Sequence, residues 1–547
     1  MKNQVKLVYS QNQHGYVYLL FSRISLREGS AMPKEELDSD AISSREMRAL
    51  ELNAEYFGVS RLLLMENAGH HVALEVASRF KPTKSVAIFC GSGGNGGDGF
   101  VAARHLSSLG FKVTVILAGK SKEITDNAAL TNWDALQPLK DAITLLEVHD
   151  SSLIPEITSD VVIDALLGTG AKGNLRPPIL QLVKKINAMD AFRVAVDVPT
   201  GIDADTGEVL GDAVKADLTV TFHKTKKGLE KAKKHTGKLV IKDIGLPREF
   251  EKFAGPGDVL AVIKPRSSES HKGDFGRLLV IGGSETYSGA PALVALAALR
   301  TGVDLAYVAT PENTAYALSS MSPDLITVKL EGKHLNPVNM RDLEGYIKQA
   351  NAVALGPGLG LHAETKKAVK AIINAVEKAG KPLLLDADGL KAFADFKKKL
   401  RIPLVLTPHS GEYTILTGRK LPTDTERKAA EVKKTAAQLG AVILLKGAVD
   451  IVSDGTRTKL NFTGNPGMTV GGTGDVLSGV VGALLAQRVE PFEASVAGAF
   501  VNGAAGDFVV KEKGFHMTAS DLIDWIPHVL NDPMSHLKVR KTSAKTS

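Results

Sequence analysis

From Ser85 onward, short runs of unbroken apolar residues alternate with stretches whose apolar positions recur at helical spacing. Ser85-Val-Ala-Ile-Phe-Cys90, Lys112 to Leu117, Val161-Val-Ile-Asp164 and Arg193-Val-Ala-Val-Asp197 read as strands, and Phe100 to Leu109 as a helix. Strands without polar alternation belong to a parallel sheet covered on both faces. Two helical segments precede them between Ser44 and Phe80. The alternation pauses from Ile244 to Lys264, where Gly245, Pro247, Gly255, Pro256 and Gly257 break any period and predict a domain boundary. It resumes with Leu278-Leu-Val-Ile281, Ala352-Val-Ala-Leu355, Leu383-Leu-Leu-Asp386, Leu404-Val-Leu406 and Ala441-Val-Ile-Leu-Leu445. Val369, Ile372, Ile373 and Val376 mark a helix among them. Both halves therefore read as α/β layered folds.

Composition narrows the function more than the fold. At 547 residues the chain exceeds one ordinary core, which agrees with two domains. Its formal charge of +7 is concentrated in Lys224 to Lys238 and in Lys538, Arg540, Lys541 and Lys545. No aromatic residue interleaves with these lysines as a base-stacking platform would, so they read as solvated surface, with no nucleic-acid partner. The single cysteine, Cys90, excludes an intrachain disulfide and fits a reducing, cytoplasmic setting; ending an apolar run, it reads as a buried small residue. The apolar patch Val17 to Phe21 is far too short to span a membrane and no cleavage site follows it. The first thirty or so residues match no element and are expected to form a tail outside the core, with Met32 and Met47 as alternative starts.

In the first half, Gly91-Ser-Gly-Gly-Asn-Gly-Gly-Asp-Gly99 follows a strand and opens a helix, so backbone N–H groups can approach a phosphate closely. Gly91, Gly93 and Gly96 satisfy the spacing of a dinucleotide fingerprint. A dehydrogenase would also place an acidic residue at the end of the next strand, where Ala118, Gly119 and Lys120 stand instead. A second glycine cluster, Gly168-Thr-Gly-Ala-Lys-Gly173, and Asp197-Val-Pro-Thr-Gly-Ile-Asp203 follow two further strands. Asn95, Asp164, Asp197 and Thr200 thus share the carboxyl edge of the sheet, where oxygen-bearing groups suit a hard cation, a sugar or a phosphate. Singly, each of these residues is explained as a turn or a cap.

This half, over roughly Ser44 to Gly245, resembles the NAD(P)H-hydrate epimerase family (the YjeF N-terminal domain). The resemblance implies that Gly94, Asn95, Gly96, Gly97 and Asp98, with Gly168, Thr169, Gly170, Ala171, Lys172, Gly173 and Asn174, line the site of the hydrated cofactor. It implies potassium held by Asn95, Asp164 and Thr200, and a substrate contact at Asp197, the expected acid or base. Gly94 replaces the asparagine usual in the family loop.

In the second half, Gly464-Asn-Pro-Gly-Met-Thr-Val-Gly-Gly-Thr-Gly-Asp475 precedes an apolar helix. Glycines at a helix N-terminus form an anion hole for a transferring phosphoryl group, and an aspartate at its mouth can take a proton from an acceptor hydroxyl. The arrangement resembles that of ribokinase-like kinases. With His271 to Ser284, Tyr287-Ser-Gly-Ala-Pro291, Leu355-Gly-Pro-Gly-Leu-Gly360, Asp386-Ala-Asp-Gly-Leu390 and Leu406-Thr-Pro-His-Ser-Gly-Glu412, it resembles the ADP/ATP-dependent NAD(P)H-hydrate dehydratases over roughly Gly257 to Leu530. Ser410 stands where that family usually has proline. The resemblance implies hydrate contacts at Ala290, Gly358 and His409. It implies nucleotide contacts at Lys446, Gly447, Ala448, Val449 and Asp450, and at Asn465, Pro466, Gly467, Met468, Thr469, Val470, Gly471, Gly472, Thr473 and Gly474. Asp475 is then the base, and Mg²⁺ accompanies ADP or ATP.

The whole therefore reads as a Rossmann-like three-layer epimerase domain (41–245), a linker (246–256), a ribokinase-like α/β dehydratase domain (257–530) and a basic tail (531–547), after a first segment, 1–40, outside the core. Its expected partners are the hydrates NADHX and NADPHX with ADP or ATP, and further copies of itself in a homo-oligomer, with no membrane. A small-molecule kinase with an accessory domain, and a non-catalytic nucleotide- or RNA-binding module, are the competing readings.

Overall fold

The computed structural model describes residues 41–545; the expected tail, with Val17 to Phe21 and Met32, lies outside the described residues. The first sheet comprises β1 (Ser85–Cys90), β2 (Lys112–Ala118), β3 (Ile143–Val148), β4 (Val161–Ala165), β5 (Phe192–Val196), β6 (Leu218–Phe222) and β7 (Lys238–Lys242). All are parallel, in the order β3-β2-β1-β4-β5-β6-β7. After β3 the chain returns to the far side of β1, so the order reverses between β1 and β4. A crevice opens at that point beyond the carboxyl ends, where such sheets bind ligands.

The second sheet comprises β8 (Arg277–Ile281), β9 (Leu305–Pro311), β10 (Ile326–Leu330), β11 (Ala352–Leu355), β12 (Leu383–Leu385), β13 (Leu404–Leu406), β14 (Val442–Leu445), β15 (Asp450–Ser453) and β16 (Thr458–Asn461). Their order is β10-β9-β8-β11-β12-β13-β14-β15-β16, parallel through β14 and antiparallel beyond it. Its reversal lies between β8 and β11. The helix expected around Val369 to Val376 runs over Ala363–Lys378 and buries all four of its marker residues.

Three expectations change. The helix expected at Phe100 begins at Gly94 and ends at Ser108. Glycine is a poor helix former, but here packing overrides propensity. A methyl group at Gly96 would lie 1.8 Å from the Gly91 carbonyl oxygen, and one at Gly99 2.6 Å from Cys90 Sγ. Only bare backbone lets this helix settle onto β1. Second, the expected linker is not free chain: Leu246 and Ala254 are buried, and Ala254 N donates to Leu460 O at 2.9 Å beside β16. Third, the segment expected as a basic tail continues as helix His536–Lys545 and buries His536 and Val539.

The two cores share an element. Helix Ser44–Tyr56 gives Met47, Leu50 and Ala54 to the core of the first sheet, whereas its last residue, Tyr56, belongs to that of the second. Midway, buried Asn53 accepts from Gly257 N and donates to Asp258 Oδ2, both at 2.8 Å. No helix among the described residues is long and apolar enough to cross a membrane.

Candidate active sites

At the first crevice, Asp164 is the penultimate residue of β4 and is fully buried. Its Oδ1 accepts from the Thr200 hydroxyl at 2.6 Å and its Oδ2 from Thr200 N at 2.8 Å. Burial nevertheless pushes its carboxyl up to about 6 against those hydrogen bonds, because no cationic side chain compensates the charge. Asn95 lies opposite, on the first turn of helix Gly94–Ser108, its Oδ1 close against Gly168 and its buried Nδ2 without a partner. Both glycine clusters and three of the expected oxygen donors thus meet at one place.

Asp197 directly follows β5 and holds φ at +62°, a left-handed conformation uncommon outside glycine and costing about 1 kcal/mol or more. Its carboxylate accepts from the Thr221 hydroxyl at 3.0 Å and pairs with Lys226. Lys226 is wholly buried and also donates to Thr221 Oγ1 and Phe222 O. The run Lys224 to Lys238 was expected to be solvated throughout; Lys226 corrects that, because a buried ammonium is stable where a carboxylate and two oxygens receive its three donors. Two more carboxyls face Asp197. Burial raises Asp98 well above its usual range, with Asp197 and Glu51 adding to the rise, and burial likewise raises Glu51 with help from Asp197. Both carboxyls are therefore held to their protons more tightly than a free carboxyl is.

Lys172 stands apart from this cluster. More than half exposed, it pairs with Asp203 at 3.0 Å and Asp205 at 3.5 Å at the outer rim.

At the second sheet, helix Thr473–Ala486 begins at Gly472, whose φ of +98° turns the chain, and no side chain caps it. Its first N–H groups are left to an anion. Asp475 sits on that first turn. Burial pushes its carboxyl up to about 7, Asp386, Glu412 and Asp388 adding to the rise and Lys446 opposing it. Lys446 directly follows β14 and pairs with Asp386 at 2.7 Å, with Glu412 4.0 Å away. Burial alone would lower its ammonium, but Asp386 and Glu412 outweigh that and raise it. Asp386, itself buried, uses its other oxygen to accept from Ser478 on the same glycine-headed helix at 2.7 Å. A cation is thereby fixed beside the helix mouth: Lys446 Nζ would lie 3.3 Å from a methyl group at Gly474.

Ala290 and Gly358 meet across the β8–β11 reversal; a methyl group at Gly358 would sit 3.3 Å from Ala290 Cβ. His409 caps helix Ser410–Thr417, its Nδ1 accepting from Gly411 N and Glu412 N at 3.0 and 3.3 Å, with Nε2 3.5 Å from Glu412 Oε1. Ser410 occupies the first helical position, one that proline also suits.

Other expected contacts serve the loops themselves. Asp450 accepts from Gly447 N and Asn461 Nδ2, both at 3.0 Å, around exposed Ala448, and burial pushes its carboxyl up to about 6. The Asn465 side chain accepts from Gly467 N and donates to Asp507, Gly467 is buried, and Met468 packs on the core. Within the loop, Pro466 and Thr469 are exposed, and the Thr473 hydroxyl donates to Met468 O at 2.9 Å. Sequence reasoning gave no role to Lys226, Glu51, Asp386 or Asn502. The signal for Asp386 was present in its Asp-Ala-Asp-Gly motif. Asn502 carried none, yet its buried Oδ1 has no partner beside Thr473.

Comparison with known proteins assigns each half to a known family. Residues 278–528 match the family model described as NAD(P)H-hydrate dehydratase, and residues 61–228 that of the YjeF-related protein N-terminus. A bifunctional NAD(P)H-hydrate repair enzyme of Pyrobaculum aerophilum is 47% identical over 499 residues, covering 90% of this chain and 98% of its own. That of Hyperthermus butylicus is 45% identical over 504 residues, covering 90% and 93%. A solved ADP/ATP-dependent NAD(P)H-hydrate dehydratase from Bacillus subtilis, co-crystallised with ATP and Mg²⁺, is 29% identical over 51% of this chain and 97% of its own, with a TM-score of 0.44. The chain belongs to the bifunctional NAD(P)H-hydrate repair enzymes, an epimerase and a nucleotide-dependent dehydratase joined in one polypeptide.

Proposed function

We propose that Asp197 and Asp475 are the reacting groups of the two activities, and that the epimerase feeds the dehydratase. The observation that carries this reading is Asp475, a carboxyl poised near neutrality on the first turn of an uncapped helix, beside the fixed charge of Lys446. In the dehydratase the hydrate carries hydroxide, a poor leaving group, at C6. Asp475 takes the C6 hydroxyl proton as that oxygen bonds to the terminal phosphorus of ADP or ATP and the donor P–O bond breaks. The ring nitrogen lone pair then expels phosphate with cleavage of C6–O, and loss of a C5 proton restores the dihydronicotinamide. The helix N–H groups and Lys446 receive the phosphoryl charge. Mg²⁺, bound with the nucleotide, would supply charge neutralisation. The orphaned Asn502 Oδ1 beside the loop fits a further ligand donor.

In the epimerase, Asp197 contacts the C6 region of the hydrate and is held in place by Lys226. Asp98, its carboxyl raised by burial, lies close enough to feel the Asp197 charge. Asn95, Asp164 and Thr200 form a set of oxygen donors with one uncompensated buried carboxylate, which fits a potassium ion. That ion supplies charge balance for the substrate's approach. The unpartnered Asn95 Nδ2 is a donor for a substrate oxygen.

The test supplies both NADHX epimers with ADP or ATP, Mg²⁺ and K⁺, and follows the returning dihydronicotinamide absorbance. Full recovery is expected; Asp475→Asn abolishes recovery while epimers still interconvert, and Asp197→Asn leaves recovery stalled at one epimer's share. A stable phosphorylated product, or Asp475→Asn at wild-type rate, overturns the assignment.

A further inference from the structure

Asp507, on helix Pro491–Lys513, faces the start of the Asn465–Gly474 loop. Its Oδ2 accepts from Gly464 N at 3.0 Å and its Oδ1 from Asn465 Nδ2 at 2.8 Å. Asn465 Oδ1 in turn accepts from Gly467 N at 2.9 Å, so one carboxylate fixes the entry of the loop and the turn that follows it. Behind Asp507 stands His536, its Nε2 2.9 Å from Asp507 Oδ2 and its Nδ1 2.8 Å from the Tyr56 hydroxyl. The Asp507 carboxylate can only accept, so Nε2 carries a ring hydrogen and donates to it. Burial pushes the Tyr56 phenol up to about 12, so the hydroxyl that shares a hydrogen bond with Nδ1 keeps its proton. Every donor in the series finds one acceptor, and Tyr56 and His536 are both nearly inaccessible to solvent.

Tyr56 is the last residue of helix Ser44–Tyr56, which begins in the epimerase half. There Ile42 N donates to Thr225 O at 2.9 Å and Lys227 N donates to Ile42 O at 3.2 Å, bracketing Lys226, the partner of Asp197. Ser44 N donates to Asp205 Oδ1 at 2.7 Å. A rod of 13 residues, about 20 Å long, is thus fastened beside the epimerase site at one end and to the loop of the other site at its far end.

We propose that Tyr56 and His536 are positioning residues of the dehydratase: through Asp507 they set the nucleotide loop, and the epimerase half supplies the first member of the series. This rests on the reading of Asn465–Gly474 as the nucleotide site. Nothing in the series touches Asp475, so its loss raises the KM for ADP more than it lowers kcat.

The experiment measures ADP dependence of dehydration, epimer interconversion and melting temperature for Tyr56→Phe, His536→Ala, His536→Gln and Gly471→Ile. A methyl group at Gly471 meets nothing within 4 Å, so the isoleucine there obstructs ligand rather than protein. Tyr56→Phe and His536→Ala are expected to raise the KM for ADP about fivefold or more, the loss of one or two buried hydrogen bonds, with kcat changed less than about twofold and epimerisation intact. His536→Gln, which can still donate to Asp507, recovers most of the affinity. Gly471→Ile abolishes ADP use. If Gly471→Ile leaves the KM for ADP unchanged, the loop reading fails and the proposal with it. Loss in Gly471→Ile with unchanged KM in Tyr56→Phe and His536→Ala overturns the proposal alone. So does a parallel fall in kcat, epimerisation and melting temperature, which marks a merely structural role.

Discussion

Asp475 shows how one residue's surroundings set an enzyme's pH range. A base must be ionised to accept a proton, and burial beside Asp386 and Glu412 holds this carboxyl at about 7 rather than near 4. Below that value it is protonated and idle. Dehydration kcat/KM should therefore rise with pH through about 7 and level off above it, and Asp475→Asn should lower the rate by about 10²–10⁴ and abolish the rise. A wild-type profile flat from pH 5.5 to 8.5 would point to another base. Lys226 makes a second prediction. Replacing it by methionine strands the Asp197 charge and takes one hydrogen bond each from Thr221 Oγ1 and Phe222 O, which costs about 3 kcal/mol or more when a buried pair loses one partner. Urea unfolding followed by an epimerase-half probe should show that loss; adding Asp197→Asn to the same chain should return part of it, because the stranded charge is gone. No return would mean that the lysine acts by packing alone. Aspartates after apolar strands were legible in the sequence because their position at the carboxyl edge follows from chain direction. Lys226 was not, since a lysine among five others within a dozen residues carries no mark of burial until the fold closes over it.

At the scale of elements, the glycines of Gly91 to Gly99 divide by what surrounds them. Gly96 and Gly93 are three residues apart, yet a methyl group at the first would collide with the Gly91 carbonyl and one at the second meets nothing within 4 Å. Gly96→Ala should thus destabilise the epimerase half by about 2 kcal/mol or more and depress epimerisation, whereas Gly93→Ala, at the N-cap, should cost about 1 kcal/mol or less. Thermal melts and epimer interconversion on the two variants check this; equal effects would remove the packing explanation. The same contrast explains which elements the sequence revealed. Central strands such as β1, β4, β11 and β14 are buried on both faces and read as unbroken apolar runs. Strands β3, β7 and β10 expose alternate or irregular positions near sheet edges, and β6 interrupts its apolar run with buried Thr219 and Thr221. Pattern reading fails where burial is one-sided or where a buried residue is polar.

For the whole molecule, the expected domains and their linker are further tied together by helix Ser44–Tyr56, which enters both cores. Nothing in its own sequence announces that, since an amphipathic helix shows which face is buried and not against which partner. Asn53 is the point where the consequence can be tested. It is fully buried, and both ends of its amide are engaged by Gly257 and Asp258 from the second half. Truncation to alanine leaves the Gly257 N–H without its acceptor and Asp258 Oδ2 with Gly255 N alone, at a cost of about 1–3 kcal/mol. That cost falls on the contact between halves, while each sheet keeps its own core. Scanning calorimetry should therefore show one cooperative transition for the wild-type chain, and for Asn53→Ala an earlier onset that broadens or separates into two, one for each core. The alternative outcome is as informative. Two resolved transitions already present in the wild type would mean that the shared helix does not couple the cores, and that the hydrogen bonds of Asn53 close a contact without carrying stability between them.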